Sequence, residues 1–296
     1  MAPLARMDAN PGPIGALRAS AIITTCFVLA GCGGLFYQPS SQVFTDPARL
    51  HARWQNLSFD RPGGGKLSAA LIDGDRTDSS RGLMIQFHGN AQNMTAHWLS
   101  LHWATQRGWT VLAWDYSGYG ASDGQPERKQ IAMDADAFLA WVSDSILPHH
   151  RGPIVLVGQS LGSAILLRAF PNWKDRDKAT LVLSEGGFPS YRSIAYNVVS
   201  RHWLTWIAYP LVPLLVSNDE SPVPLLPRIA PTPFLIVSCS EDQVVPPSQQ
   251  TRLHALAPSA MFWRVDGCRH IGAFRSDSLR NRLEGLVDSL DLAHRP

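Results

Sequence analysis

Ser160 stands in the pentapeptide Gly158-Gln159-Ser160-Leu161-Gly162, a G-x-S-x-G pattern. Before it runs Pro153-Ile154-Val155-Leu156-Val157, a short unbroken apolar stretch, β-branched at three positions, that reads as a buried parallel strand. After it, Ala164-Ile165-Leu166-Leu167-Arg168 has helical composition. Strand, sharp turn and helix around G-x-S-x-G make a nucleophile elbow. Such a turn strains the backbone of its serine, so only small residues fit two positions before and after it. Gly158 and Gly162 meet that demand. The Ser160 hydroxyl is thereby lifted clear of the sheet edge, at the positive end of a helix where developing negative charge is favoured. Attack on an acyl carbon then needs a base to take the hydroxyl proton and an acid to orient that base.

In open α/β sheets such groups sit on loops at the carboxyl ends of strands, and the chain order after an elbow serine is Asp or Glu, then His. After the apolar run Phe234-Leu235-Ile236-Val237 comes a loop with Glu241-Asp242-Gln243-Val244-Val245-Pro246, which offers Asp242. After Met261-Phe262-Trp263-Arg264-Val265 comes Asp266-Gly267-Cys268-Arg269-His270, which offers His270. Glu185, following the strand that ends at Leu183, is a second candidate for the acid.

These loops need a scaffold, and the chain supplies a strand–helix alternation. Strands are expected at 83–87, 110–114, 154–157, 180–183, 234–237 and 261–265. Helices are expected near 96–107, 126–146, 248–255 and 276–292. This pattern predicts a parallel sheet with helices on both faces. Gly63-Gly64-Gly65 reads as a hairpin turn before an early edge strand at 67–72. The long interval between the strands at 180–183 and 234–237 reads as an inserted, mostly helical cap at about 188–230. It carries Trp203, Trp206, Tyr209 and the run Pro210 to Val216. Those side chains either pack the cap onto the core or form an acyl-binding wall or membrane-facing patch.

Together these segments resemble the α/β-hydrolase superfamily, in its compact serine-hydrolase branch. The resemblance rests on Phe87-His88-Gly89-Asn90-Ala91, on Asp115-Tyr116-Ser117-Gly118-Tyr119-Gly120-Ala121-Ser122-Asp123-Gly124, on the elbow, on Glu241 to Pro246 and on His270. It covers about residues 60–296. It implies an α/β fold with a mostly parallel central sheet, helices on both faces and an inserted helical cap, over a domain of 61–296. It further implies Ser160 as nucleophile, His270 as base and then acid, and Asp242 as orienting carboxylate. Backbone N–H groups of Leu161 and Asn90 would form the oxyanion hole, with His88 and Asp115 shaping their loops. Cys239 and Cys268 fall in the loops carrying Asp242 and His270; they are either two buried thiols or a disulfide clipping one loop to the other. A serine nucleophile, rather than an aspartate, argues against dehalogenase or epoxide-hydrolase chemistry.

The amino-terminal region suggests where this chemistry operates. Arg6 and Arg18 precede the apolar run Ala21 to Ala30, too short to span a bilayer but suited to a signal peptide over 1–31. Leu29-Ala30-Gly31-Cys32 resembles a bacterial lipobox, which implies cleavage before Cys32 and acylation of that residue, followed by a tether over 32–60. Gly33 after the cysteine favours the outer over the inner membrane, facing the periplasm of the bacterial envelope. The 296 residues carry a net charge of +2 with 17% charged residues and no basic run, which leaves nucleic-acid binding without an electrostatic basis. No metal-binding pattern or phosphate loop occurs, so no cofactor and no metal is implied. The expected function is an envelope-anchored serine esterase acting on a small-molecule acyl substrate. Aminopeptidase-like and thioesterase activity, or a non-catalytic interaction lipoprotein of the same fold, are the alternatives.

Overall fold

The computed structural model describes residues 37–74, 80–200 and 203–294. The signal peptide and Cys32 expected from the sequence lie outside the described residues. The strands are β1 (Gln38–Pro39), β2 (Ala52–Asp60), β3 (Lys66–Gly74), β4 (Gly82–Phe87), β5 (Ala91–Gln92), β6 (Trp109–Trp114), β7 (Ile154–Gln159), β8 (Leu181–Glu185), β9 (Phe234–Cys239) and β10 (Met261–Val265). The α-helices are α1 (Met94–His97), α2 (His102–Thr105), α3 (Arg128–Trp141), α4 (Leu161–Ala169), α5 (Tyr191–Ser200), α6 (Val212–Leu215), α7 (Pro247–Leu256) and α8 (Asp277–His294).

Eight strands form one sheet in the order β10-β9-β8-β7-β4-β6-β3-β2, parallel from β10 to β6 and antiparallel at β6-β3 and β3-β2. Two expectations need correction here. The tether does not reach residue 60, because β2 pairs with β3 along its whole length, from Ala52↔Gly74 to Asp60↔Lys66. For the same reason the strand at 67–72 is not the edge; β2 covers it. The apolar residues of β2, Trp54, Leu57 and Phe59, do not alternate strictly, so period-two reading passes over a strand that its partner specifies.

The pleat divides the core. Leu83, Ile85 and Phe87 of β4 join Leu112, Trp114 and Leu156 in one apolar layer with Phe138 of α3 and Leu166 of α4. Met84, Val111, Val155 and Val157 point the other way, onto Trp98, Trp109, Leu283 and Val287 beneath α8. Both faces of β7 are thus buried, which is why its sequence is apolar without alternation. The helix expected at 96–107 is broken into α1, a 3-10 turn at Trp98–Ser100 and α2.

The chain builds β4 and β6 toward one edge, then returns to lay β7 on the other side of β4 and proceeds outward through β8, β9 and β10. A reversal of this kind opens a crevice at the carboxyl ends of the two strands that flank it. Those strands are β4 and β7. The loop after β4 carries Asn90, and the turn after β7 carries Ser160.

Candidate active site

Ser160 has φ 54° and ψ −117°, in the left-handed half of the map, and stands as N-cap of α4. A non-glycine residue held there costs about 1–3 kcal/mol, which the surrounding packing sustains. The close approach of the backbones explains the flanking glycines. A Cβ on Gly162 would lie 2.0 Å from the Phe87 carbonyl oxygen, and one on Gly158 would lie 2.6 Å from Ser163 Cα. The Ser160 N–H donates to the Glu185 carbonyl at 3.0 Å, tying the turn to β8. The first amides of a helix have no intrahelical acceptor, so the Leu161 N–H is open to an incoming oxygen.

Asp242 and His270 meet, with Nδ1 of the imidazole 2.7 Å from Oδ2 of the carboxylate. The Asp242 side chain is 1% exposed and that of His270 18%. The other carboxylate oxygen, Oδ1, accepts the N–H groups of Val244 and Val245, each at 2.8 Å, so the acid is fixed by its own loop. With Nδ1–H donated to Asp242, Nε2 of His270 is left as the basic nitrogen. The ring lies against Gly186, whose Cβ, if present, would be 3.2 Å from His270 Cε1. Gly186 immediately follows the residue whose carbonyl holds the Ser160 amide, so the imidazole and the serine share one stretch of backbone.

A disulfide links Cys239 and Cys268. It joins the Asp242 loop to the His270 loop, which are further laced by Glu241 N–H to the Cys268 carbonyl at 3.0 Å and Gly267 N–H to Ser240 Oγ at 3.0 Å.

Glu185 does not touch His270's nitrogen. Its carboxylate accepts from Gln159 Nε2 at 2.9 Å and from the Ala273 N–H at 3.0 Å. Burial pushes its pKa up, against the hydrogen bonds from Gln159 and Ala273 that pull it down. Gln159 Oε1 in turn accepts Gln86 Nε2 and Ser100 Oγ, both at 2.9 Å, and Gln86 Nε2 also donates to the His97 carbonyl at 2.9 Å. This buried chain runs across the ends of β4, β7 and β8 and ties the strand that leads into Ser160 to the loop after His270. Sequence reading passed over it. The signal was a glutamine inside each of two otherwise apolar strands, since a buried amide must find partners.

The loop after β4 is braced from several sides. Asn90 Oδ1 accepts the Gln38 N–H at 3.0 Å and the Tyr119 hydroxyl at 3.1 Å. The His88 carbonyl accepts the Tyr116 hydroxyl at 2.7 Å, and His88 Nε2 lies 3.2 Å from Asp115 Oδ1. Asp115 Oδ1 also accepts the Met94 N–H at 2.7 Å. His97 Nε2 donates to the Ala91 carbonyl at 2.6 Å. Burial, with smaller repulsion from His88 and His270, lowers its pKa to about 4, so its ring is neutral at pH 7.

A sequence profile for the family described as "Serine aminopeptidase, S33" matches residues 78–226. The chain belongs to this family. YfhR of Escherichia coli K12, an uncharacterized protein, is 28% identical over 275 residues, covering 87% of this chain and 89% of its own. Protein bem46 of Schizosaccharomyces pombe is 25% identical over 239 residues, covering 79% and 77%. Among solved structures, an esterase of Pyrococcus furiosus superposes with a TM-score of 0.64 at 16% identity, over 86% of this chain and 97% of its own. Acetyl xylan esterase 1 of Thermoanaerobacterium superposes with a TM-score of 0.57 at 17% identity, over 85% and 86%. At such identities the structures establish the fold, and the fold is that of the α/β-hydrolases. The protein is therefore an enzyme of the α/β serine-hydrolase type.

Proposed function

We propose that the protein is a serine esterase of the bacterial envelope, in which Ser160, His270 and Asp242 form the catalytic triad. The observation that carries this reading is the 2.7 Å contact of His270 Nδ1 with Asp242 Oδ2, with the imidazole against Gly186, next to the residue whose carbonyl holds the amide of the strained Ser160. His270 Nε2 takes the Ser160 proton as Oγ bonds to the acyl carbon. The amides of Leu161 and Asn90 hold the oxyanion. The imidazolium returns the proton to the departing alcohol as the C–O bond breaks, leaving an acyl-enzyme. Water, deprotonated by the same nitrogen, then releases the acid and restores Ser160.

An ester is favoured over a peptide amine terminus by how the nearby carboxylates are used. An aminopeptidase binds its substrate's ammonium with an acidic group facing the cleft. Asp242 is engaged by His270, Val244 and Val245, and Glu185 by Gln159 and Ala273. Acylation of Cys32, within Leu29-Ala30-Gly31-Cys32, anchors the enzyme on the periplasmic side of the envelope, with the outer membrane favoured by Gly33.

A fluorophosphonate probe tests the nucleophile: the wild type labels and Ser160→Ala does not. Absence of labelling in folded wild type would instead favour a binding lipoprotein of the same fold. Turnover of esters of graded chain length, run beside peptide amides, tests the substrate class. Preferential cleavage of the amides would replace the esterase reading with the peptidase one.

A further inference from the structure

Between Trp203 and Asn218 the sequence holds no charged residue. In the fold this stretch is a 3-10 helix, Trp203–Leu211, followed by α6. Part of it does pack the cap onto the core: Val212 and Val216 are buried with Tyr191 and Ile194 of α5. The remainder faces outward. Trp206 is 61% exposed, Ile207 83% and Leu214 82%, with Tyr209, Leu211 and Leu215 also exposed. Scattered apolar side chains on a surface need no explanation, but a run of this length without an interleaved charge marks a contact surface.

Its position relative to the amino-terminal tether identifies the partner. Tyr37 is buried at the foot of the cap, where its hydroxyl faces Tyr191 and Arg128. Arg128 donates to the Ser217 carbonyl, and Arg192 donates to the carbonyls of Val216 at 2.8 Å and Pro213 at 3.1 Å. The apolar run therefore rises directly from the spot where Tyr37 is held. Cys32 is five residues upstream, and five residues of extended chain reach at most about 18 Å. The next residues of the tether run along the active-site rim: β1 pairs with β5, and Gln38 N–H donates to Asn90 Oδ1. Tyr37, where the described chain begins, the cap face and the crevice consequently lie on one side of the molecule.

We infer that the outward face of the cap, Trp206, Ile207, Tyr209, Leu211, Leu214 and Leu215, docks into the interface of the lipid bilayer that holds the anchor. The inference rests on the proposed acylation of Cys32. Amphipathic Trp and Tyr rings beside Ile and Leu suit the headgroup boundary of a bilayer. Docked this way, the crevice at Ser160 opens toward the membrane surface, and the substrate class is an acyl ester presented from that surface.

The test uses the full chain, expressed with its own amino-terminal region and reconstituted into phospholipid vesicles containing nitroxide-bearing lipids. A bimane fluorophore is attached at Ile207→Cys, and in a second preparation at Ser259→Cys, in the exposed turn before β10 at the opposite ends of the parallel strands. The expected result is loss of fluorescence at 207 and none at 259. Equal, unquenched signals from both positions in vesicle-bound protein overturn the docking, and cross-linking of 207 to 207 would assign the face to a second copy of the chain. Acyl incorporation and resistance to carbonate extraction are read separately. If both fail while 207 is still quenched, docking stands and the anchor reading falls. The variant Trp206→Ser/Ile207→Ser/Leu214→Ser is expected to lose about tenfold or more of its activity on an ester carried in vesicles while keeping its activity on a water-soluble short ester, which also reports folding. Equal activity on both substrates, unchanged from wild type, overturns the proposal.

Discussion

Nδ1 of His270 lies 2.7 Å from Oδ2 of Asp242, and the two loops that carry them are clipped together by the Cys239–Cys268 disulfide, each cysteine shortly before one member of the pair. Asp242 is buried and held by two amides of its own loop, which fix its direction independently of the imidazole. Glu185 sits close by in the same layer but spends its oxygens on Gln159 and on the amide of Ala273, three residues past His270.

Asp242→Asn should therefore lower kcat by roughly three to four orders of magnitude with the fold intact, because the imidazole loses the acceptor that fixes its tautomer. Glu185→Gln should act differently. An amide can accept from only one of the two donors well, so the urea midpoint should shift by an equivalent of about 1–3 kcal/mol with a smaller fall in kcat. Reversal of the two variants, with kcat collapsing only in Glu185→Gln, would transfer the role of acid to Glu185.

The disulfide closes a loop with a sequence separation of 29. On the chain-entropy account this stabilises the fold by about 3–4 kcal/mol. Cys239→Ser/Cys268→Ser, or reduction of the wild type, should lower the unfolding free energy by about that amount. It should also raise KM or lower kcat, since the bridge joins the loops that carry Asp242 and His270. Denaturant curves recorded with and without reductant check the first expectation, and steady-state kinetics the second.

Gly162→Ala places a methyl group 2.0 Å from the Phe87 carbonyl oxygen. Neither backbone can yield without moving β4 away from α4. The expected outcome is a loss of about 3 kcal/mol or more, at the upper end of overpacking costs, with no fluorophosphonate labelling. Near-wild-type stability of this variant would contradict the close packing of elbow and sheet.

His97 has a pKa lowered to about 4 from the ordinary 6.5. Between those values the unfolded chain binds a proton that the folded chain refuses. Stability from this group is thus complete above about pH 6.5 and is lost as the pH falls toward 4. In His97→Gln, whose amide can still donate to the Ala91 carbonyl, the decline of the urea midpoint over this range should be shallower. An identical slope in both proteins would remove His97 as its source.

Local pattern made much of this molecule legible. The apolar runs of β4, β6, β7, β8 and β9 announce buried strands because burial on both faces forbids polar residues nearly everywhere, and β10, the half-buried edge, is legible by its own apolar run. Gly158 and Gly162 announce the elbow because two backbones meet there. Asp242 and His270 could be named because a strand end followed by a polar loop is a local feature. The cap also stood out, as an apolar stretch in the wrong place for a strand.

The sequence by itself thus determined the alternating scaffold, the elbow around Ser160, and a short roster of candidate acids and bases in chain order, since each is encoded by neighbours along the chain. Only the tertiary structure decided which carboxylate meets His270, that Cys239 bonds to Cys268, and that Gln86, Ser100, Gln159 and Glu185 form one buried chain. It also decided that residues 52–60 are a sheet strand rather than tether. Those are pairings between distant segments. Their energy appears only when the return of β7 beside β4 brings the strand ends together, and no local period carries that information.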